Sequence, residues 1–316
     1  MFLRYLATFI PYPSLVINIR MRIFILLLSL FSLFLMACEK EDKLTHKEGT
    51  VLDNDVRPYD GVSNVLINNY INRFYIDLIG VQPTDSVLVS AGIKLDVAPQ
   101  SVAVREEIIN EAIVADVYFD RFFSVTSLIF TEGLEISDFE EKQAEYVAVK
   151  QLAQANGDSL LVQVIEYEML KMDSLIQAKE RLNNEEIGLE EFYRAFCFNY
   201  VYDEINMGSL NFVQACFENL FGRGPTPDEL DRAIKMVDGT SSYLFLKGGN
   251  SKSDFLNIMI SNPEFLVGRT KDVYNQLVQR NPNTSEEVVG VQMLQEAVNM
   301  KGLQVEVAKT KEYAGF

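Results

Sequence analysis

His46 is the only imidazole in the chain, and it lies in a polar stretch without apolar periodicity. A histidine general base and the usual Cys/His zinc site therefore have nothing to be built on. Carboxylates are abundant, 45 in all, and an acid/base pair of the glycosidase kind needs only two of them. Glu185, Glu186, Glu190 and Glu191, however, fall at expected helix starts and on polar faces, where solvation and the helix dipole account for them. No catalytic residue is expected. Asp53-x-Asp55 with Asp60 has oxygen ligands for calcium but lacks the glycine and closing glutamate of an EF-hand loop, so no metal and no cofactor are expected. Cys197 and Cys216 sit in Phe196-Cys197-Phe198 and Ala215-Cys216-Phe217, apolar helical surroundings that favour buried free thiols over a disulfide.

The third thiol is of another kind. Met21-Arg22 opens a segment with a continuous apolar core from Ile23 to Leu35 and ends in Leu35-Met36-Ala37-Cys38, which is signal-peptide anatomy. Ile23 to Ala37 is shorter than the roughly 20 residues that span a bilayer. Residues 1–20, with Pro11 and Pro13, read as lying upstream of the true start at Met21. Leu35-Met36-Ala37-Cys38 resembles the lipobox of bacterial lipoproteins. That resemblance implies that Cys38 receives a diacylglyceryl group, that residues 1–37 are removed, and that the new amine is acylated. With about 0.8 kcal/mol per buried methylene, several acyl chains make release from a membrane negligible. Glu39-Lys40-Glu41-Asp42-Lys43 is similar to the acidic, lysine-containing export tag of surface-exposed lipoproteins in some Gram-negative lineages; a solvated linker is the plainer reading. The expected location is the outer membrane, at the cell surface or facing the periplasm, with the membrane itself a partner through Cys38.

The formal net charge is −17, and removing the leader takes away Arg4, Arg20 and Arg22 but no acid. Nucleic acid is excluded as a partner, because phosphate binding needs clustered Lys and Arg. The acid excess solvates the protein, and leaves room for a basic partner or cations.

The elements that carry these residues read as helices. Residues 38–60, polar and containing Pro58, form a flexible tether. Three related segments follow: Tyr75-x-x-Leu78-x-Gly80-x-x-Pro83-Thr84, Phe217-x-x-Leu220-x-Gly222-Arg223-x-Pro225-Thr226, and Tyr274-x-x-Leu277-x-Gln279-Arg280-x-Pro282. The aromatic and leucine share a helix face, the glycine suits a left-handed C-terminal position, and the proline forbids continuation. Gly80, Pro83, Gly222, Arg223, Pro225 and Pro282 are thus assigned as structural turn residues, with Arg223 bonding carbonyls at the helix end. Thr226-Pro227-Asp228-Glu229 supplies a capping box with proline at the first helical position. Thr284-x-x-Glu287 is expected to repeat it, whereas the first segment has Val87 in place of the glutamate. Each unit is expected to close with an amphipathic helix ending in an aromatic: Arg105 to Phe119, Ser253 to Phe265, and Leu303 to Tyr313.

Between units, Phe139 to Leu182 predicts one long helix or a pair broken near Asn156-Gly157-Asp158. Strand signals are few and no Asn-Gly hairpin is present, so the fold class is all-α with about three helix-turn-helix modules. The expected divisions are 61–136, 137–184, 185–270 and 271–316. Tyr118, Phe119, Phe122, Phe123, Phe192, Tyr193, Phe196 and Phe198 read as core, or as an exposed platform for a glycan or a protein.

Glu190-Glu191-Phe192-Tyr193-Arg194-Ala195-Phe196, Asn211-Phe212-Val213 and Leu220-Phe221-Gly222-Arg223-Gly224-Pro225 together resemble the linker-polypeptide domain of phycobilisomes. They also resemble a related helical domain of unknown function in secreted bacterial proteins. Ile71 to Thr84 is similar to the opening of large planctomycete-type exported proteins that travel with cytochrome c domains. This chain has no Cys-x-x-Cys-His, which excludes covalent haem, and it is acidic where linker polypeptides are basic. What the resemblance implies is assembly. The expectation is a non-enzymatic, lipid-anchored envelope protein that scaffolds or binds another envelope component, with a protein partner or a glycan. The rivals are a carboxylate-dependent glycan-active enzyme and a glycan- or small-ligand-capture lipoprotein.

Overall fold

Amphipathic spacing sets the first helix, α1 (Asn64–Phe74), which buries Ile67, Tyr70, Ile71 and Phe74 on one stripe and is capped by the Ser63 hydroxyl. The computed structural model describes residues 61–316 except Gln100 and Ala115. Cys38, His46, Asp53, Asp55, Asp60 and the whole leader lie outside the described residues. Those described belong to one compact unit, Pro58–Phe316.

The chain continues from α1 into a π-helical turn, Tyr75–Ile79, where Gly80 donates its N–H to the Tyr75 carbonyl at 2.9 Å. Gly80 has φ 82°, and a Cβ there would meet Arg121 Cδ at 2.9 Å, so both backbone and neighbour require glycine. Next come α2 (Asp85–Val97), α3 (Val102–Ile113) and α4 (Val117–Phe130). The expected single helix from Arg105 to Phe119 is therefore two. The same correction holds for the other units: α12 (Lys252–Ile260) ends before Phe265, which belongs to α13 (Pro263–Val278), and α15 (Lys301–Ala308) ends before Tyr313 of α16 (Lys311–Ala314). Two of these breaks have a physical cause in the sequence. Asn262 caps with Pro263 at the first helical position, and Thr310 accepts from the Tyr313 N–H at 3.2 Å. The first break has no capping side chain. The aromatic in each case begins a helix rather than ending one.

Between units the helical pair is found: α5 (Ile136–Ala155) and α6 (Ser159–Ile176), with Gly157 at φ 73° and Asp158 capping α6 through the Leu161 N–H at 3.0 Å. Then follow α7 (Ala178–Asn183), α8 (Leu189–Cys197), α9 (Tyr200–Ile205), α10 (Ser209–Phe221), α11 (Pro227–Val237) and, after the hairpin, α12, α13, α14 (Thr284–Gln295), α15 and α16. The fold is all-α. The exception is a short antiparallel hairpin, β1 (Ser242–Leu244) with β2 (Lys247–Gly249), that the sequence did not signal. Its two turn residues, Phe245 and Leu246, both take positive φ, 48° and 64°, positions that ordinarily go to Asn and Gly. Phe245 is held there by packing on Phe217 and Phe221. Tertiary contact overrides local preference.

α13 closes the second related segment and opens the third, so the 270/271 division falls inside one helix. Gly268 marks where α13 crosses α10: a Cβ would lie 2.3 Å from the Leu220 carbonyl oxygen. An aromatic spine joins α4 to α8, with Phe122 stacked on Phe192 at 5.1 Å and Phe123 against Phe196 at the same distance. Tyr118, Phe119, Phe122, Phe123, Phe192, Tyr193, Phe196 and Phe198 are all buried, which makes them core and not a platform. The two ends of the described chain meet. Tyr70 packs edge-on against Tyr313 and Phe316, and Arg73 lies 4.1 Å over the Tyr313 ring while bonding the Tyr313 and Leu277 carbonyls.

Candidate functional site

The turn residues singled out from sequence build a pair of matching clamps. Gly222 takes the left-handed position after α10 at φ 66°, and Arg223 follows. Its guanidinium bonds both oxygens of Glu229 at 2.8 and 2.9 Å and, through a second fork, both oxygens of Glu264. Arg223 also donates to the Gly224 carbonyl at 3.1 Å and lies over the Phe217 ring at 5.3 Å. It thus ties the end of α10 to the starts of α11 and α13. The expected carbonyl contact is there, but in the turn itself, and the carboxylates carry most of the bonding. Glu229 simultaneously closes the capping box with Thr226, as expected.

Arg280 repeats this arrangement after α13. It follows Gln279 at φ 57°, bonds Glu286 at 2.7 and 2.8 Å and Glu312 at 2.6 Å from each of two nitrogens, donates to the Asn281 carbonyl, and lies over the Tyr274 ring. The capping box here is Asn283 with Glu286, one residue earlier than the expected Thr284 and Glu287. Both pairs have capping spacing; Arg280 selects the one whose glutamate its fork reaches. Pro225 and Pro282 are half-buried in these turns and Pro83 is buried in the first. The first segment has Val81 where the arginine would stand and Thr84 makes no capping bond, so no clamp forms.

The electrostatics follow from the geometry. The Arg223 fork, with the Thr226 N–H, holds the Glu229 carboxyl down at about 2. Glu286 and Glu312 are lowered by Arg280 in the same way.

A cavity of about 40 Å³ lies beneath the π turn, lined by Asp77, Arg121, Asp272, Gln276, Tyr193 and Gln304 among others. Apart from Tyr193, which the sequence marks only as an aromatic, these residues carry no sequence signal, because they come from separate helices and show no motif. The space holds about two or three waters and no sugar ring. Asp77 accepts from the Tyr313 hydroxyl at 2.7 Å, and Gln276 donates to the Asp77 backbone carbonyl at 3.1 Å. Asp272 pairs with buried Arg269 at 3.1 Å, and burial raises its carboxyl. Arg269 also lies 4.2 Å over Tyr193 and donates to the Asn219 carbonyl. These polar groups join helices to one another. Cys197 and Cys216 are free and buried, and burial, with the neighbouring Cys216 thiol, pushes the Cys197 thiol well up.

The larger opening is a solvent-exposed groove of about 520 Å³ between the start of α8, the α12–α13 turn and the end of α14. Its walls include Glu190 and Glu191 on one side, Asn262, Pro263 and Leu266 on another, and Gln295 on the third. Its volume is in the range of about 300–1,000 Å³ usual for ligand pockets. Glu190 and Glu191 are exposed in the first turn of α8, and among the described residues neither makes an ion pair. Pro263 is followed by Glu264, so the Arg223 clamp fixes the edge of the groove. Such a surface offers acceptors and apolar contact to a polar or basic ligand.

Among the described residues no cluster of three or more His, Cys, Asp or Glu side chains is placed to hold a metal ion, and no helix is long and apolar enough to cross a membrane. No family model, no curated protein and no solved structure matches this chain.

Proposed function

We propose that this chain is a non-enzymatic, lipid-anchored envelope protein whose helical body binds another envelope component in the groove between α8, the α12–α13 turn and α14. The observation that carries the reading is the groove itself: it is the size of a ligand site, its edge is held by the Arg223–Glu264 clamp, and its two free carboxylates face solvent. The anchor rests on Leu35-Met36-Ala37-Cys38 and the apolar run before it, and the outer membrane is the membrane proposed. The assembly role is supported by the resemblance of residues 190–225 to linker-polypeptide domains.

Affinity purification from native membranes tests the binding role. The unaltered chain should bring down one protein in stoichiometric amount, and Glu190→Lys with Glu191→Lys should lose it while keeping the circular dichroism of the folded chain, its melting temperature falling only by the few degrees that reversed charge at a helix start costs. A chain that comes out alone, or a partner retained by the charge-reversed variant, would contradict the proposal.

A further inference from the structure

α5 and α6 pair along a seam, and Phe139 and Ala153 of α5 and Ile165 and Met172 of α6 are buried. The ion pair Lys150–Glu166 at 2.8 Å and the Gln143–Asp173 hydrogen bond mark one side of that seam. Helical spacing puts Val149 and Leu152 of α5 and Leu160, Leu161, Val164 and Tyr167 of α6 on the other side. Those six are 40–71 % exposed. Toward the base of the hairpin Phe198 meets one edge of Tyr167 at 6.3 Å and Tyr146 meets Tyr200 at 5.9 Å, which leaves Tyr167 half-exposed at the boundary of the covered part of this side. Toward the tip, among the described residues, nothing covers it.

Charge singles the tip out further. In a chain of net charge −17, the only charged residues from Val147 to Ile165 are Lys150 and Asp158. Lys150 is engaged by Glu166 on the opposite side, and Asp158 caps α6. Toward the tip the exposed face is therefore apolar and uncharged; at its base Glu168, seven residues after Leu161, is paired with Lys171 at 2.7 Å, and Lys171 lies 5.2 Å from the Tyr167 ring.

We propose that this face is a self-association surface, on which a second copy of the chain packs its own α5–α6 hairpin about a two-fold axis near Val164. An isologous interface sets a patch against itself, so a patch rich in one sign would repel its copy, and most of this acidic surface would do so. The hairpin tip does not. The six side chains present roughly 600 Å² per copy, so the pair can bury up to about 1,200 Å², which reaches the lower end of the range for specific, stable interfaces. Antiparallel packing of α6 on its copy brings Val164 to its own counterpart and sets Leu161 against Tyr167 and Leu160 against Glu168, whose charge its own Lys171 balances, so that no two like charges oppose one another. The proposal is independent of what occupies the groove.

The test uses the full chain in detergent, by light scattering on size-exclusion eluate. The unaltered chain should run as a dimer, and Val164→Glu, which sets two carboxylates at the axis, should weaken it at least tenfold with no change in circular dichroism. In cells, Val164→Cys with a short bismaleimide should give a product of twice the chain mass that is absent without the substitution. A monomer at high concentration, a dimer indifferent to Val164→Glu, or Val164→Cys cross-linking to a protein of another mass would each overturn the proposal.

Discussion

Arg223 and Arg280 hold the same set of partners: each forks onto the glutamate six residues ahead that closes the next capping box, and onto a second glutamate at the start of a later helix. Each also covers the aromatic six residues behind it, Phe217 or Tyr274. A turn that uses one guanidinium to satisfy four carboxylate oxygens fixes three helix ends at once.

Arg223→Ala should lower unfolding free energy by about 2 kcal/mol, and Arg280→Ala by about 1 kcal/mol, since the second clamp is the more exposed. Arg223→Lys should recover less than half of the loss, because an ammonium cannot bond two carboxylates bidentately. Urea denaturation of the three variants measures this; a full rescue by lysine would show that charge alone matters.

How much of this was legible in sequence differs along the clamp. Thr226, Pro227 and Glu229 announce a helix start because capping is a local bond between residues three apart. The third segment is ambiguous by one position, since Asn283 and Thr284 are both capping residues and each has a glutamate three residues on. The spacing of six between Arg223 and Glu229, matched by Arg280 and Glu286, was the available signal. Glu264 and Glu312 were not foreseeable, because they reach their arginines across 41 and 32 residues and no fixed spacing records the contact. The hairpin at Phe245-Leu246 was hidden for a similar reason: its turn is imposed by packing and not by turn residues.

The left-handed positions give opposite predictions. Gly222 has φ 66° with open space around it, the nearest atom to an added Cβ being Lys271 Cδ at 3.9 Å, so Gly222→Val should cost about 1 kcal/mol or more from backbone strain. Gln279 already bears that strain at φ 57°, so Gln279→Gly should raise stability by about 0.5–1 kcal/mol. Thermal unfolding of both should shift in opposite directions, and shifts of the same sign would refute the shared turn geometry.

Acid should loosen the same turns. The folded Glu229 carboxyl sits at about 2, below its ordinary 4.5, so its contribution is complete above about pH 4.5 and is lost as pH falls toward 2. Glu286 and Glu312, also lowered by Arg280, act with the same sign. Up to about 2 kcal/mol from Glu229 is at stake after allowing for solvent screening. Stability measured against pH in Glu229→Gln should show a shallower fall across this interval; an unchanged slope would remove the clamp as its cause.

Cys197 and Cys216 should resist alkylation in the folded chain, because both are buried and the Cys197 thiol is pushed toward its unreactive protonated form. Iodoacetamide followed by peptide mass spectrometry should label them only beyond the unfolding transition. Rapid labelling in native buffer would place the helices around them differently.

The claim on which location and role both depend is attachment of the chain to a membrane through one sulfur. Mass spectrometry of the N-terminal peptide from chain expressed in its own host tests it directly. The peptide should begin at Cys38 and carry the mass of a diacylglyceryl group with a further acyl chain on its amine. A Cys38 with a bare thiol, still joined to Ala37, would contradict it.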